Sequence, residues 1–227
     1  MIRLRKHQVF KALRLAVLVL SSPIINVNGQ EIPLPNKSPI PVEIMFGNEE
    51  IYYLTILNLP FEKNSRFGYF GVGSALVPYE NGRGNNEIVI SNALTYRFVP
   101  KMYATTGLQI HYAKGAVPFA GLQFFSANPT WLVLFNPVFQ IAPTINFETV
   151  GVIEYKPMLL KSLRLYSRLQ GIYNQNLDDG IHERSLLYLR IGVSVGKTSF
   201  GIGLNNDFYG ANKRSEHNHG IFINHLF

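Results

Sequence analysis

The sequence predicts an all-β chain, closed into a transmembrane antiparallel up-and-down β-barrel of about twelve strands. Three observations predict it. Segments of about ten residues, apolar at every second position and bounded by Gly, Asn, Pro or Asp, recur from Val42 to Phe227. Only 15% of the 227 residues are charged while 13% are aromatic, where soluble domains carry about 25% charged residues. The aromatics Tyr96, Phe98, Tyr112, Trp131, Tyr155 and Tyr173 lie near the ends of apolar faces, as the interfacial girdles of a membrane barrel do. Closure pairs every backbone group, which a bilayer interior demands.

The first residues read as a leader. MIRLRKHQVFKALR is basic, and LAVLVL follows, then Ser21, Ser22 and Pro23. A charged segment before a short apolar run is the layout of a secretory signal. Val27 and Gly29 are small residues at the −3 and −1 positions of a cut, so residues 1–29 are predicted to be a signal peptide. The run is shorter than the roughly 20 residues a spanning helix needs. The alternative is an amphipathic helix opening a cytoplasmic protein. Residues 30–41 contain Pro33, Pro35, Pro39 and Pro41 and predict an extended periplasmic tail. The leader also accounts for most of the net charge of +7. Five of the 21 basic residues lie in it and no acid precedes Glu31, leaving 16 basic residues against 14 acidic. No basic patch for nucleic acid survives. The chain has no cysteine, which excludes disulfides, thiolate metal sites, a cysteine nucleophile and a lipid-modified cysteine.

Strands are predicted at 51–60, 66–77, 87–98, 102–112, 116–126, 130–139, 145–156, 162–174, 184–195, 198–208 and 217–227. That number is odd, and single-chain bacterial barrels have even numbers. Connections alternate back from the C-terminus: 209–216 is long and Gly196–Lys197 short, 175–183 long and 157–161 shorter, and 78–86 is long again. Short turns belong in the periplasm and long loops outside. With both ends periplasmic, 51–60 must run downward, so VEIMF at 42–46 supplies the twelfth strand, turning at Gly47–Asn48. Ten strands is the alternative. GVSVGKT, at 192–198, has three residues between its glycines where a phosphate loop needs four, and the residues after Thr198 alternate instead of opening a helix. It reads as a hairpin.

The chain closes on HGIFINHLF, with Phe227 last and Ile223 and Ile221 at every second position before it, His225 interrupting the row. This resembles the C-terminal targeting strand of Gram-negative outer-membrane β-barrel proteins. His225 departs from the aromatic or aliphatic residue usual there. The resemblance implies Sec export with a cleaved leader, insertion by the barrel-assembly machinery through that strand, and outer-membrane lipids as surroundings. It speaks to architecture and location, not to activity. The alternative is a soluble secreted β-protein that ends in Phe.

No catalytic set emerges. The His-x-Ser arrangement of the barrel phospholipase and deacylase families is absent. His217 and His219, beside Glu216, share a strand face, but a zinc site takes three or four ligands. NLDDG, at 176–180, is a turn with too few oxygens for calcium. His111 faces inward with Gln109 and Tyr103 and lacks a nucleophile. No metal, cofactor or enzymatic activity is predicted. The informative residues are inward-facing charges: Glu148 and Glu154 on one strand, Arg164 and Arg168 on the next, Arg190 on the third. A hairpin centred near residue 159 sets Glu154 opposite Arg164. One centred near 179 sets Arg168 opposite Arg190, with Glu148 reaching that pair. The cluster reads either as an ion-pair network filling the lumen or as a basic constriction that selects anions. The expected function is a narrow solute channel or a structural barrel with a side-chain-filled lumen. The alternatives are an interaction or adhesion barrel acting through loops 78–86, 175–183 and 209–216, and a barrel lipid hydrolase.

Overall fold

The computed structural model describes residues 39–80, 86–141 and 143–227. The predicted signal peptide, 1–29, and the tail up to residue 38 lie outside the described residues. The described residues form one antiparallel sheet that closes on itself. Its strands are β1 (Pro41–Gly47), β2 (Glu50–Pro60), β3 (Phe67–Pro78), β4 (Glu87–Val99), β5 (Met102–His111), β6 (Gly115–Ala127), β7 (Trp131–Gln140), β8 (Asn146–Tyr155), β9 (Met158–Leu160), β10 (Leu163–Asn176), β11 (His182–Val195), β12 (Thr198–Tyr209) and β13 (Arg214–Leu226). β9 is a three-residue continuation of β8 along the same neighbour, β10. The barrel therefore has twelve full strands. β1 and β13 close it, pairing from Pro41↔Leu226 to Gly47↔Gly220.

The expected strands appear in order, including the short first one. The connections are a correction. The loops expected at 78–86, 175–183 and 209–216 shrink to 79–86, 177–181 and 210–213. Tyr209 still pairs with Arg214, and Gln175 with His182. Polar residues such as Asn176, His182 and Glu216 read as loop by composition, yet ladder hydrogen bonds are made by the backbone whatever the side chain.

Alternation sets the two faces. Outward positions carry the exposed apolar residues, among them Ile90, Leu94, Leu108, Leu122, Phe135, Ile153, Leu189, Ile191, Ile202 and Ile221. Among the described residues no Lys, Arg, Asp or Glu stands at an outward strand position; Glu183, the extra residue of a bulge in β11, turns into the lumen. Outward polar groups are satisfied locally. Tyr69 donates to Asn92 Oδ1 at 2.6 Å, Thr106 to the Phe119 carbonyl at 3.1 Å, and Ser167 to the Tyr155 carbonyl at 2.9 Å. Ile221, Ile223 and Phe227 are exposed on this face. His225 shares it, with Nδ1 2.9 Å from the Thr198 hydroxyl and its ring edge-on to Phe227. The imidazole thus has a polar partner and an aromatic neighbour, which accommodates it in an apolar row.

The inward face is the core, and it is less polar than the strand pattern suggests. Leu54, Leu76, Tyr52, Tyr188, Tyr166, Met45 and Phe222 form one inward cluster, and Phe70, Phe119, Leu134, Val138 and Val152 form a second. β2, β3, β7 and much of β8 are apolar on both faces, so period two is blurred there. Polar inward residues concentrate on β4, β5 and β10–β13, with Glu43 alone on β1.

Candidate functional site: the lumen

The charged centre is a triad across three strands. Arg168 on β10 stands opposite Arg190 on β11. Two guanidiniums side by side require an intervening negative charge. Glu43, on β1, supplies it. Its Oε1 accepts from Arg168 Nη2 at 2.6 Å and from Arg190 Nε at 2.9 Å. All three side chains are almost wholly buried. Arg190 also donates to the Leu189 carbonyl and to Asn205 Oδ1, each at 2.8 Å. Its guanidinium lies over Tyr52, 5.5 Å from the ring centre. Glu43 reaches this place past glycines at inward positions of the strands between, Gly201, Gly203 and Gly220. Gly203 faces inward between Arg190 and β13, and a Cβ there would sit 2.6 Å from Met45 Sδ and 3.1 Å from Arg190 Cδ.

Three expectations are corrected. Glu154 stands opposite Arg168, and Arg164 opposite Met158, because β9 breaks the hairpin and shifts the register. Glu154 accepts from Lys156 Nζ at 2.5 Å and from the Tyr166 hydroxyl at 3.1 Å. Arg164 donates to the carbonyls of Pro129 and Lys156 at 3.2 and 3.3 Å. Glu148 does not reach the arginine pair. It accepts from Asn174 Nδ2 at 2.7 Å and from Gln109 Nε2 at 3.4 Å. The triad lies along one wall and pairs both guanidiniums with Glu43, although Arg168 Nε, Arg190 Nη2 and Glu43 Oε2 are buried without a hydrogen-bond partner among the described residues.

Two cavities open along the lumen among the described residues. One, about 280 Å³, lies toward the rim opposite the termini, and Glu148, Gln109, His111, Glu87, Arg184 and Tyr209 are among its lining residues. The other, about 700 Å³, lies toward the end where the chain enters and leaves the barrel, with Glu43, Glu154, Arg164 and Arg168 on its wall. Leu54, Ile56 and Val152 line both, so the boundary between them is apolar.

The far rim is barred by side chains from opposite walls. β4 reaches β11 through as many strands one way round as the other. Even so, Glu87 of β4 accepts from Arg184 Nη1 of β11 at 2.8 Å. Arg184 is fixed by Asp207 Oδ1, at 2.6 Å from Nη2, and Tyr188 donates to Asp207 Oδ2 at 2.7 Å. Tyr209 donates to Glu87 Oε2 at 3.0 Å and Tyr112 to Oε1 at 2.9 Å. Tyr112 lies in the turn after β5. Partial burial and the Glu87 carboxylate push its hydroxyl above the ordinary phenol range, so it stays a donor. A second bar runs from Lys114, in the same turn, to Glu183 of β11. Tyr112, expected in the outer girdle, is thus drawn to the mouth.

The sequence reading missed Glu43, the Leu54–Ile56–Val152 boundary and the Glu87–Arg184 bar. Glu43 had a visible signal, as a lone acid between apolar neighbours in β1. The bar had none, since it joins residues far apart in sequence across a bore whose width no spacing encodes.

No family model matches the chain, and no curated protein matches it. Among solved structures it is similar to the KdgM porin, at 10% identity and TM-score 0.45, covering 84% of this chain and 99% of that one. It is similar to the NanC porin at 8% identity and TM-score 0.46, covering 83% and 98%. A bacterial polysaccharide outer membrane secretin is similar at 10% identity and TM-score 0.41, covering 83% and 97%.

Proposed function

We propose that this chain is an outer-membrane channel for small solutes, not an enzyme, with its bore narrowed at an apolar waist and latched at one mouth. The observation that carries the reading is a closed barrel, apolar outside, with two cavities meeting end to end at Leu54, Ile56 and Val152. A continuous uncharged apolar band is unfavourable in water and suits a bilayer. The local hydrogen bonds of Tyr69, Thr106 and Ser167 support the same setting, because lipid offers no substitute partner. The termini-bearing end faces the periplasm in this reading, and the C-terminal strand carries the signal for insertion. A structural barrel with a filled lumen fits the two cavities less well. The interaction reading is left with two of its three loops shortened, to 177–181 and 210–213.

Two measurements test this. Liposomes holding the refolded protein should swell in isotonic glycine and not in a trisaccharide; equal inertness to both would refute a solute path. Ile202, 66% exposed, is flanked across the sheet by Ile191 and Ile221. Ile202→Arg should destabilise the barrel in vesicles by about 2–4 kcal/mol if the row sits near the bilayer midplane. Urea unfolding reads it, and an unchanged midpoint would mean that this face lies in water.

A further inference from the structure

The wider cavity has a chemistry of its own. Seven cations and two carboxylates border it. Arg168 is paired with Glu43 and Lys156 with Glu154. Lys63, Arg66, Arg97, Arg164 and Lys197 have no carboxylate partner among the described residues. They are spread around the mouth: two at the β2–β3 loop, one near the end of β4, one at the start of β10, one in the β11–β12 turn. Arg66 and Arg97 are backbone neighbours, the Arg97 amide donating to the Arg66 carbonyl at 2.7 Å. Like charges so placed are unfavourable unless an anion lies by them. Arg164 already spends donors on two carbonyls, and exposed Arg66 sets one Nη1 donor 3.5 Å from the Tyr96 hydroxyl, leaving its others free among the described residues.

Below this ring the wall changes. Leu54, Ile56, Leu132, Leu134, Phe125 and Val152 line the same cavity, interspersed with Asn58, Thr95, Tyr103, Tyr166, Ser199 and Asn224. At the Leu54–Ile56–Leu134–Val152 patch a sugar acid would set hydroxyls against side chains that can neither donate nor accept, and burying unpartnered hydroxyls is costly. An inorganic anion would leave the apolar wall wet. A molecule with an anionic head and an apolar body satisfies both parts, and about 700 Å³ is of small-molecule size.

We propose that this cavity binds small organic anions with an apolar body, the head beside Arg66 and Arg97 and the body against Leu54, Ile56, Leu134 and Val152. The proposal rests on the channel reading in that the cavity lies on the solute's route, and it names the class of solute.

Titration calorimetry on the refolded barrel in micelles tests it with three probes: 4-phenylbutyrate, its neutral amide, and glucuronate, each against protein-free micelles. The acid should bind at least about tenfold more tightly than either control, since a charge-assisted contact and a buried ring are each worth about that factor. Arg97→Gln should bring the acid's affinity to that of the amide, and Leu134→Asn should bring it toward that of glucuronate. Equal binding of acid and amide would overturn the head site, and equal binding of phenylbutyrate and glucuronate the apolar one. The wild-type comparison stands even if a variant fails to fold. A barrel that conducts ions without this preference refutes the proposal and spares the channel; one that binds phenylbutyrate without passing solutes does the reverse.

Discussion

Glu43→Gln is expected to prevent stable folding of the barrel, at a cost of about 3–5 kcal/mol. The carboxylate is the one negative charge that both Arg168 and Arg190 touch. The Arg190 guanidinium lies over the rings of Tyr52, Tyr188 and Phe222. Removing the charge leaves two guanidiniums in register, buried and unable to lose their protons. The amide can still accept one hydrogen bond, so the loss is electrostatic rather than steric. Heat-modifiable gel migration and urea unfolding measure it. A second substitution should recover part of the loss: Glu43→Gln with Arg168→Met removes one of the opposed charges and leaves Arg190 its bonds to Asn205 and the Leu189 carbonyl. The two changes should therefore be less than additive, as expected for groups in direct contact. A Glu43→Gln barrel as stable as the wild type would mean that the triad contributes nothing.

Glu87→Ala combined with Lys114→Met should speed glycine entry into liposomes several-fold while leaving the barrel folded. The pair removes the anchors of both bars that cross the far mouth and keeps the Arg184–Asp207–Tyr188 set on its own wall. Both ion pairs are partly exposed, and such pairs contribute at most about 1 kcal/mol. The effect should fall on passage, not on stability. High salt should act in the same direction on the wild type, because screening at about 1 M shortens the reach of a charge to roughly 3 Å. Unchanged entry in the double variant would place the resistance elsewhere, at the Leu54–Ile56–Val152 waist.

The barrel was legible because strand alternation is local and turn residues mark its breaks. The twelfth strand was legible only through the parity of connections, since VEIMF by itself is short. Register was legible where a tight turn sets it. The Arg168–Arg190 pairing follows from the β10–β11 hairpin, whereas the Glu154–Arg164 pairing failed because the three residues of β9 lengthen the connection. Contacts across the bore were not legible. Glu43 meets Arg168 over three intervening strands, past Gly203, where a Cβ would crowd Met45 and Arg190. The apolar lining was hidden for a different reason. In WLVLFNPVF both faces are apolar, so nothing in the pattern says which side faces lipid and which faces the lumen.

Single-channel recording of the refolded protein in a planar bilayer tests the central claim most directly, after heat-modifiable migration has confirmed folding. A latched channel predicts small discrete steps in the wild type and larger ones in the Glu87→Ala, Lys114→Met variant. Folded, inserted barrels that give no steps in either form would contradict it.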